Sequence, residues 1–138
     1  MKKLSRQEAI ALLHAYLQHE LVRLPWFKHI RPFIKAIVFY GSTAKGLHKP
    51  TSDLDMLIFV PLAIETKYTV GEYVYLFKDR TINIVLRSIE RLRKLKEHSD
   101  ALEAEVFRDC ELLFESDSEA RVLIAKIMVA HTRKNAEA

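Results

Sequence analysis

Residues 41–55 read Gly41-Ser42-Thr43-Ala44-Lys45-Gly46-Leu47-His48-Lys49-Pro50-Thr51-Ser52-Asp53-Leu54-Asp55, between two apolar runs. Upstream is IKAIVFY (34–40); downstream, DLDMLIFV (53–60) is stopped by Pro61. Both runs are short, rich in β-branched and aromatic residues, and bounded by turn formers, which predicts two buried strands. The polar stretch between them predicts a loop with room for one helical turn. Residues i and i+2 of a strand point to the same face, so Asp53 and Asp55 project together. Two adjacent carboxylates at the mouth of an apolar strand are costly without a cation. Hard oxygen ligands at this spacing suit Mg²⁺, or a pair of such ions about 3.5–4 Å apart. Gly41 lets backbone approach a ligand closely. Ser42 offers a hydroxyl and an N–H at a candidate helix start, where phosphate binds well. Lys45 adds positive charge for a polyphosphate. Donors on one wall thus face metal ligands on the other.

Working outward, Ser5 and Glu8 form an S-x-x-E capping box before Ile10, Leu13, Leu17 and Leu21. This predicts an amphipathic helix over residues 6–22. Pro25 and Pro32 should end it and flank an aromatic connector, Trp26-Phe27. EYVYLF (72–77) and TINIVL (81–86), split by Lys78-Asp79-Arg80, read as an antiparallel hairpin. Ser88 can cap a helix bearing Ile89, Leu92 and Leu95, and Asp100 with Glu103 suggests another bearing Leu102 and Val106. ELLF (111–114) reads as a short edge strand, and Ser116 or Ser118 as the cap of a last helix. The order predicts an α+β (mixed α/β) domain over residues 1–138.

The 138 residues are 49% apolar and 29% charged, enough for one sizeable core and unlike a disordered chain. Lys and Arg number 22 against 18 Asp and Glu, a mildly basic balance that suits an anionic substrate without requiring one. The lone Cys110 rules out an internal disulfide and a CxxC zinc site, so a reducing, cytoplasmic location is expected. No apolar run is long enough to span a membrane. The six histidines show no ligand spacing. The basic run Arg91–Lys96 lacks interleaved aromatics, so nucleic acid is not the expected partner.

GSTAKGLHKPTSDLD matches, without a gap, the G-S-x-x-x-G…S-D-x-D signature of the DNA polymerase β-like nucleotidyltransferases. The chain resembles their minimal single-domain members, with a hairpin after the motif and an R-D-x-x-(L/V)-L-F-like segment at 108–114. The resemblance implies a nucleotidyltransferase fold, with a small mixed sheet and helices mainly on one side, and Mg²⁺- or Mn²⁺-dependent transfer of a nucleoside monophosphate from an NTP, ATP foremost, to an acceptor hydroxyl. It assigns Gly41 and Ser42 to the phosphates and Asp53 and Asp55 to the metals. Lys45 stands where such members often carry Arg. Some are antitoxin partners of small helical HEPN-type proteins and modify a tyrosine on that partner. Antibiotic-modifying relatives carry an extra domain for which this chain has little room, so a protein acceptor is expected.

Family members place a third carboxylate on a later strand, in a pattern h-D-h-V. Here the pattern reads Ile82-Asn83-Ile84-Val85. Asn83 can offer an amide oxygen to a metal but brings no charge and cannot act as a base. Asp79 would reach the same place only in another register, and Glu72 lies too far along the facing strand at about 3.4 Å per residue. Two outcomes follow: an active transferase, or a catalytically impaired nucleotide- or partner-binding module. His48 and Arg87 are further candidates for substrate or phosphate contact. A loop histidine is more often simply exposed, and Arg87 is also consistent with a solvated side chain.

Overall fold

The computed structural model describes residues 2–68, 73–98 and 104–137. Helix α1 (Arg6–His19) begins on the expected capping box: Ser5 Oγ accepts from the Glu8 N–H, and Glu8 Oε1 accepts from the Ser5 N–H, both at 3.0 Å. It is shorter than its apolar spacing suggested. Leu21–Arg23 instead form a 3-10 turn, which lets Pro25 open helix α2 (Pro25–Ile30). Trp26 and Phe27 are therefore helical rather than a connector, because proline at the first helical position gives up an N–H that has no partner there anyway. A short helix absent from the sequence expectation, α3 (Leu62–Tyr68), follows Pro61.

The sheet holds β1 (Ala36–Tyr40), β2 (Leu54–Val60), β3 (Tyr73–Phe77), β4 (Arg80–Ser88) and β5 (Glu111–Glu115). Their spatial order is β3-β4-β2-β1-β5. Only β2 and β4 run parallel; the other neighbours are antiparallel. As expected, β3 and β4 form a hairpin and β5 lies at an edge. The hairpin turn is two residues long: Lys78 and Asp79 both take positive φ (48° and 62°), and Phe77 pairs with Arg80. Such a turn matches the twist of the strands it joins.

Helices cover both faces of the sheet, not mainly one. Residues alternate along the strands, so each strand supplies two apolar sets. Ile37, Phe39, Met56, Ile58, Ile82 and Ile84 pack under α1, α2 and α3. Ala36, Val38, Leu57, Phe59 and Val85 pack under α4 (Ile89–His98) and α5 (Glu119–Glu137). Ser88 Oγ accepts from the Arg91 N–H (3.1 Å), the expected cap of α4. At α5 neither expected serine acts by its side chain. Asp117 Oδ1 accepts from the Glu119 N–H (3.0 Å), while Ser116 Oγ donates to the Lys35 carbonyl (3.3 Å). The helix expected from Asp100 and Glu103 lies largely outside the described residues. Tyr73 and Tyr75 pack against α2: Tyr73 stacks on Trp26 with centroids 4.3 Å apart, and Trp26 Nε1 donates to Tyr75 Oη at 2.7 Å.

The turn carries a test. Left-handed backbone costs an ordinary L-residue roughly 1–2 kcal/mol, and Asn-Gly is the preferred pair here. Lys78→Asn with Asp79→Gly should raise the unfolding free energy by about 1 kcal/mol, read as a higher urea midpoint at unchanged slope. A lower midpoint would show that the hairpin turns elsewhere.

Candidate active site

The strand register decides which side chains meet. On β2, Asp55 has Tyr40 of β1 on one side and Asn83 of β4 on the other. Asn83 Nδ2 donates to Asp53 Oδ2 at 2.9 Å and lies 3.4 Å from Asp55 Oδ1. The amide thus sits between the two carboxylates and partly offsets their repulsion. Asp79 is held in the hairpin turn, four residues short of Asn83, so the alternative register does not occur. Glu72 lies outside the described residues.

Gly41 leaves β1 at φ +89°, and a side chain there would put its first carbon 2.3 Å from Asp55 Oδ2. The carboxylate occupies the space that a β-carbon would need, so glycine is required for two reasons at once. The chain then runs through the expected loop as a series of turns. Lys45 N–H donates to the Gly41 carbonyl (3.1 Å), Leu47 N–H to the Ser42 carbonyl (2.9 Å), and Gly46 breaks off at φ +75°. Ser42 is exposed at the rim, in a turn rather than at a helix start. Thr43 and Ala44 are buried beneath the turn, and Thr43 Oγ1 donates to the Asp53 carbonyl at 3.4 Å, tying the loop to the head of β2.

Lys45 is drawn elsewhere. Its ammonium ends 4.0 Å from Glu105 Oε1, and Glu105 also meets Arg108 at 2.9 Å and His131 Nε2 at 3.1 Å. At that distance the Lys45 pair is weak, and a phosphate could compete for it. His48 is half-buried with Nε2 2.5 Å from the Leu4 carbonyl, so it fastens the loop to the N-terminal segment. Arg80 assists from β4, donating to the carbonyls of Pro50 (2.8 Å) and Lys2. Within the basic run, Arg93 is ion-paired to Glu119 across α4 and α5 (2.8 Å). Burial pushes the Cys110 thiol up to about 11, which leaves it little thiolate near neutrality. Thr43, Arg80 and Glu105 had no local signal in the sequence; each matters through a residue distant along the chain.

Among the described residues, no three His, Cys, Asp or Glu side chains gather as a metal-binding group. The donor set is two carboxylates and one amide. That set fits a single hard divalent cation whose remaining ligands come from substrate and water. Two such ions would lack anionic ligands.

The mixed sheet thus brings the Gly-Ser turn at the end of β1 beside the paired aspartates at the head of β2. The sequence matches the nucleotidyltransferase domain family over residues 25–134, and the chain belongs to that family. In structure it is similar to a nucleotidyltransferase-like protein from Exiguobacterium sibiricum, at 12% identity and TM-score 0.51, covering 80% of this chain. It spans 38% of the length of that protein. A weaker likeness, TM-score 0.42, links it to a toxin–antitoxin protein solved with AMP-PNP, at 15% identity over 81% of this chain and 86% of the other. A mutant form of the toxin–antitoxin pair MntA–HpeT gives the same score at 12% identity, again over 81% of this chain and 86% of the other. No curated protein matches the sequence. No helix among the described residues is long and apolar enough to cross a membrane.

The two glycines separate strain from contact. Gly41→Ala and Gly46→Ala should each cost about 1–2 kcal/mol through their positive φ. Gly41→Ala alone should also turn Asp55 away from Asn83, because space beside Gly46 is open. NMR of the Asn83 side-chain amide checks this: its signals should move in the first variant and stay in the second. Unmoved signals in Gly41→Ala would mean that Asp55 does not fill that space.

Proposed function

We propose that the protein transfers a nucleoside monophosphate from an NTP, ATP foremost, to an acceptor hydroxyl, releasing pyrophosphate. The single observation that carries this reading is the packing of Gly41 against Asp55, with Asp53 and Asn83 beside it. It sets an open backbone turn against paired carboxylates. In the reaction the acceptor oxygen bonds to the α-phosphorus as the bond to the pyrophosphate oxygen breaks. Ser42 and the turn backbone would hold the phosphates. Asp53 and Asp55, with a neutral oxygen from Asn83 once its amide turns over, would hold Mg²⁺ or Mn²⁺. Such an ion neutralises charge on the triphosphate. The remaining work is positioning. Asn83 can accept no proton at neutral pH, so Asp53 and Asp55 are the candidate bases for the acceptor hydroxyl.

A protein acceptor fits best, in line with the resemblance to partners of small helical HEPN-type proteins. Val74 and Leu76 are 57% and 74% exposed. They lie on the sheet face that carries Asn83, since Val74 is its register partner. An apolar edge beside a reacting centre suits a protein surface better than a sugar or a polycationic drug. The second reading, a binding module without transfer, is favoured by Asn83 itself.

Binding is the first check. Calorimetry should show ATP affinity that depends on Mg²⁺ and falls at least tenfold in Asp53→Ala with Asp55→Ala. Equal affinity in chelator would sink the metal-bridged site. Ser42→Ala should cost about 1–2 kcal/mol of that binding, the scale of one hydrogen bond to a charged group.

Asn83 separates the two readings. Replacing the neutral amide by a carboxylate should improve transition-state stabilisation by about 3–4 kcal/mol, two to three powers of ten in rate. Asn83→Asp should therefore raise transfer of labelled nucleotide strongly at little change in ATP affinity. Robust wild-type transfer that Asp79→Ala abolishes and Asn83→Ala leaves intact would overturn this assignment.

A further inference from the structure

The sheet ends in two edge strands, and the chain treats them differently. Glu111 and Glu115 stand at the ends of β5, ion-paired to Arg6 (3.1 Å) and Arg121 (3.3 Å). Its pairing with β1 also shifts register between Ile37 and Val38. Charges and bulges of this kind keep an edge from pairing with another chain. β3 has none of them. Its five residues, Tyr73-Val74-Tyr75-Leu76-Phe77, carry no charge and no proline, and they pair with β4 without a shift. Lys78 lies in the turn beyond the last pair, with its ammonium 5.4 Å from the Phe77 ring centre.

This edge is anchored on one face and open along its side. Tyr73, Tyr75 and Phe77 point towards α1 and α2, where Tyr73 stacks on Trp26, Tyr75 accepts from Trp26, and Phe77 meets Tyr16 with centroids 5.3 Å apart. Val74 and Leu76 point the other way, to solvent. The pair that closes a two-residue hairpin exchanges both backbone bonds, and bonded and non-bonded pairs alternate from there. Phe77, Tyr75 and Tyr73 therefore bond β4, and the N–H and C=O groups of Val74 and Leu76 point outward in the plane of the sheet. Among the described residues, no backbone bond reaches these groups from outside the hairpin.

We propose that a second copy of this chain pairs with this edge, β3 antiparallel to β3, about a two-fold axis at Tyr75. The strand is its own complement: aromatic and aliphatic residues alternate symmetrically about Tyr75. Pairing about that residue sets Val74 of each copy opposite Leu76 of the other, and these are the residues whose main-chain groups face outward. Both residues of each copy then exchange N–H and C=O bonds with the other copy, so no outward group is left over. A register centred on Val74 or Leu76 satisfies only half of them within the strand. Opposed residues of an antiparallel pair share a face, so the two copies build one aliphatic ridge on the side that carries Asn83. The pairing uses the main chain, which leaves that ridge available to an acceptor, and the dimer does not depend on transfer. Five residues a side fall short of the roughly 1,200 Å² of a stable interface, so a reversible dimer with a micromolar Kd is expected.

Sedimentation velocity and backbone amide exchange on the full chain test this together. Sedimentation should show a monomer–dimer equilibrium. The Val74 and Leu76 amides should exchange at least threefold more slowly at tenfold above the Kd than at tenfold below it. Val74→Lys with Leu76→Lys sets like charges opposite each other and should weaken the dimer at least tenfold. Val74→Lys with Leu76→Glu sets unlike charges there and should keep it within threefold. Leu76→Pro, which removes an outward N–H but no bond to β4, should also weaken it at least tenfold. Equal dimerisation of the two charge variants overturns the pairing. A dimer whose Val74 and Leu76 amides stay unprotected forms elsewhere and overturns it too. So does a chain that remains monomeric at millimolar concentration, which would leave the edge to a strand of another protein.

Discussion

β2 and β4 run parallel with Asp55 beside Asn83, and this pairing sets the distances within the candidate site. A parallel pair cannot be closed by a tight turn; it needs a crossover, which residues 61–79 supply before β4 begins. Because side chains alternate along a strand, a slip of one residue would turn Asn83 to the other face and set Ile82 or Ile84 beside Asp55. The left-handed pair Lys78 and Asp79 ends the hairpin where no such slip occurs. Gly41 completes the constraint from the other side, since only a residue without a β-carbon leaves the Asp55 carboxylate its place.

The electrostatics follow from that placement. Two carboxylates on one strand face repel, and the Asn83 amide donates between them. A carboxylate in its place would add a third negative charge to the metal-free protein. Asn83 thus favours the resting state of the site while withholding a base and an anionic ligand. These are two consequences of one neutral atom pair.

The two sheet faces divide the labour. Under α1, α2 and α3 the strands are buried in a continuous apolar core. Under α4 and α5 the cover reaches Leu57, Phe59 and Val85 but stops short of the strand ends that bear the polar residues. The loop between β1 and β2 is held at that open end by Thr43 and Ala44 below, by His48 and Arg80 at its far end, and by the Lys45–Glu105 pair. A rigid scaffold thus presents a short, polar, accessible turn.

Alternation and turn chemistry are local, so the sequence alone determined the two central strands, the capping box at Ser5, the hairpin, the common face of Asp53 and Asp55, and the close approach at Gly41 after the first of those strands. The shortened α1 and the helix opened by Pro25 escaped it because the apolar spacing continues across a 3-10 turn that packs equally well. The cover of both faces escaped it because buried strands read the same whichever side their helices take. Which residue of β4 meets Asp55 was open between Asn83 and Asp79, since pairing between distant strands is set by the crossover and its turn. Tertiary structure also decided that the Lys45 charge ends on Glu105 and that Arg87 lines a cavity beside α4. A long charged side chain goes where the fold puts a counter-charge or a space, and neither is written within a few residues of it.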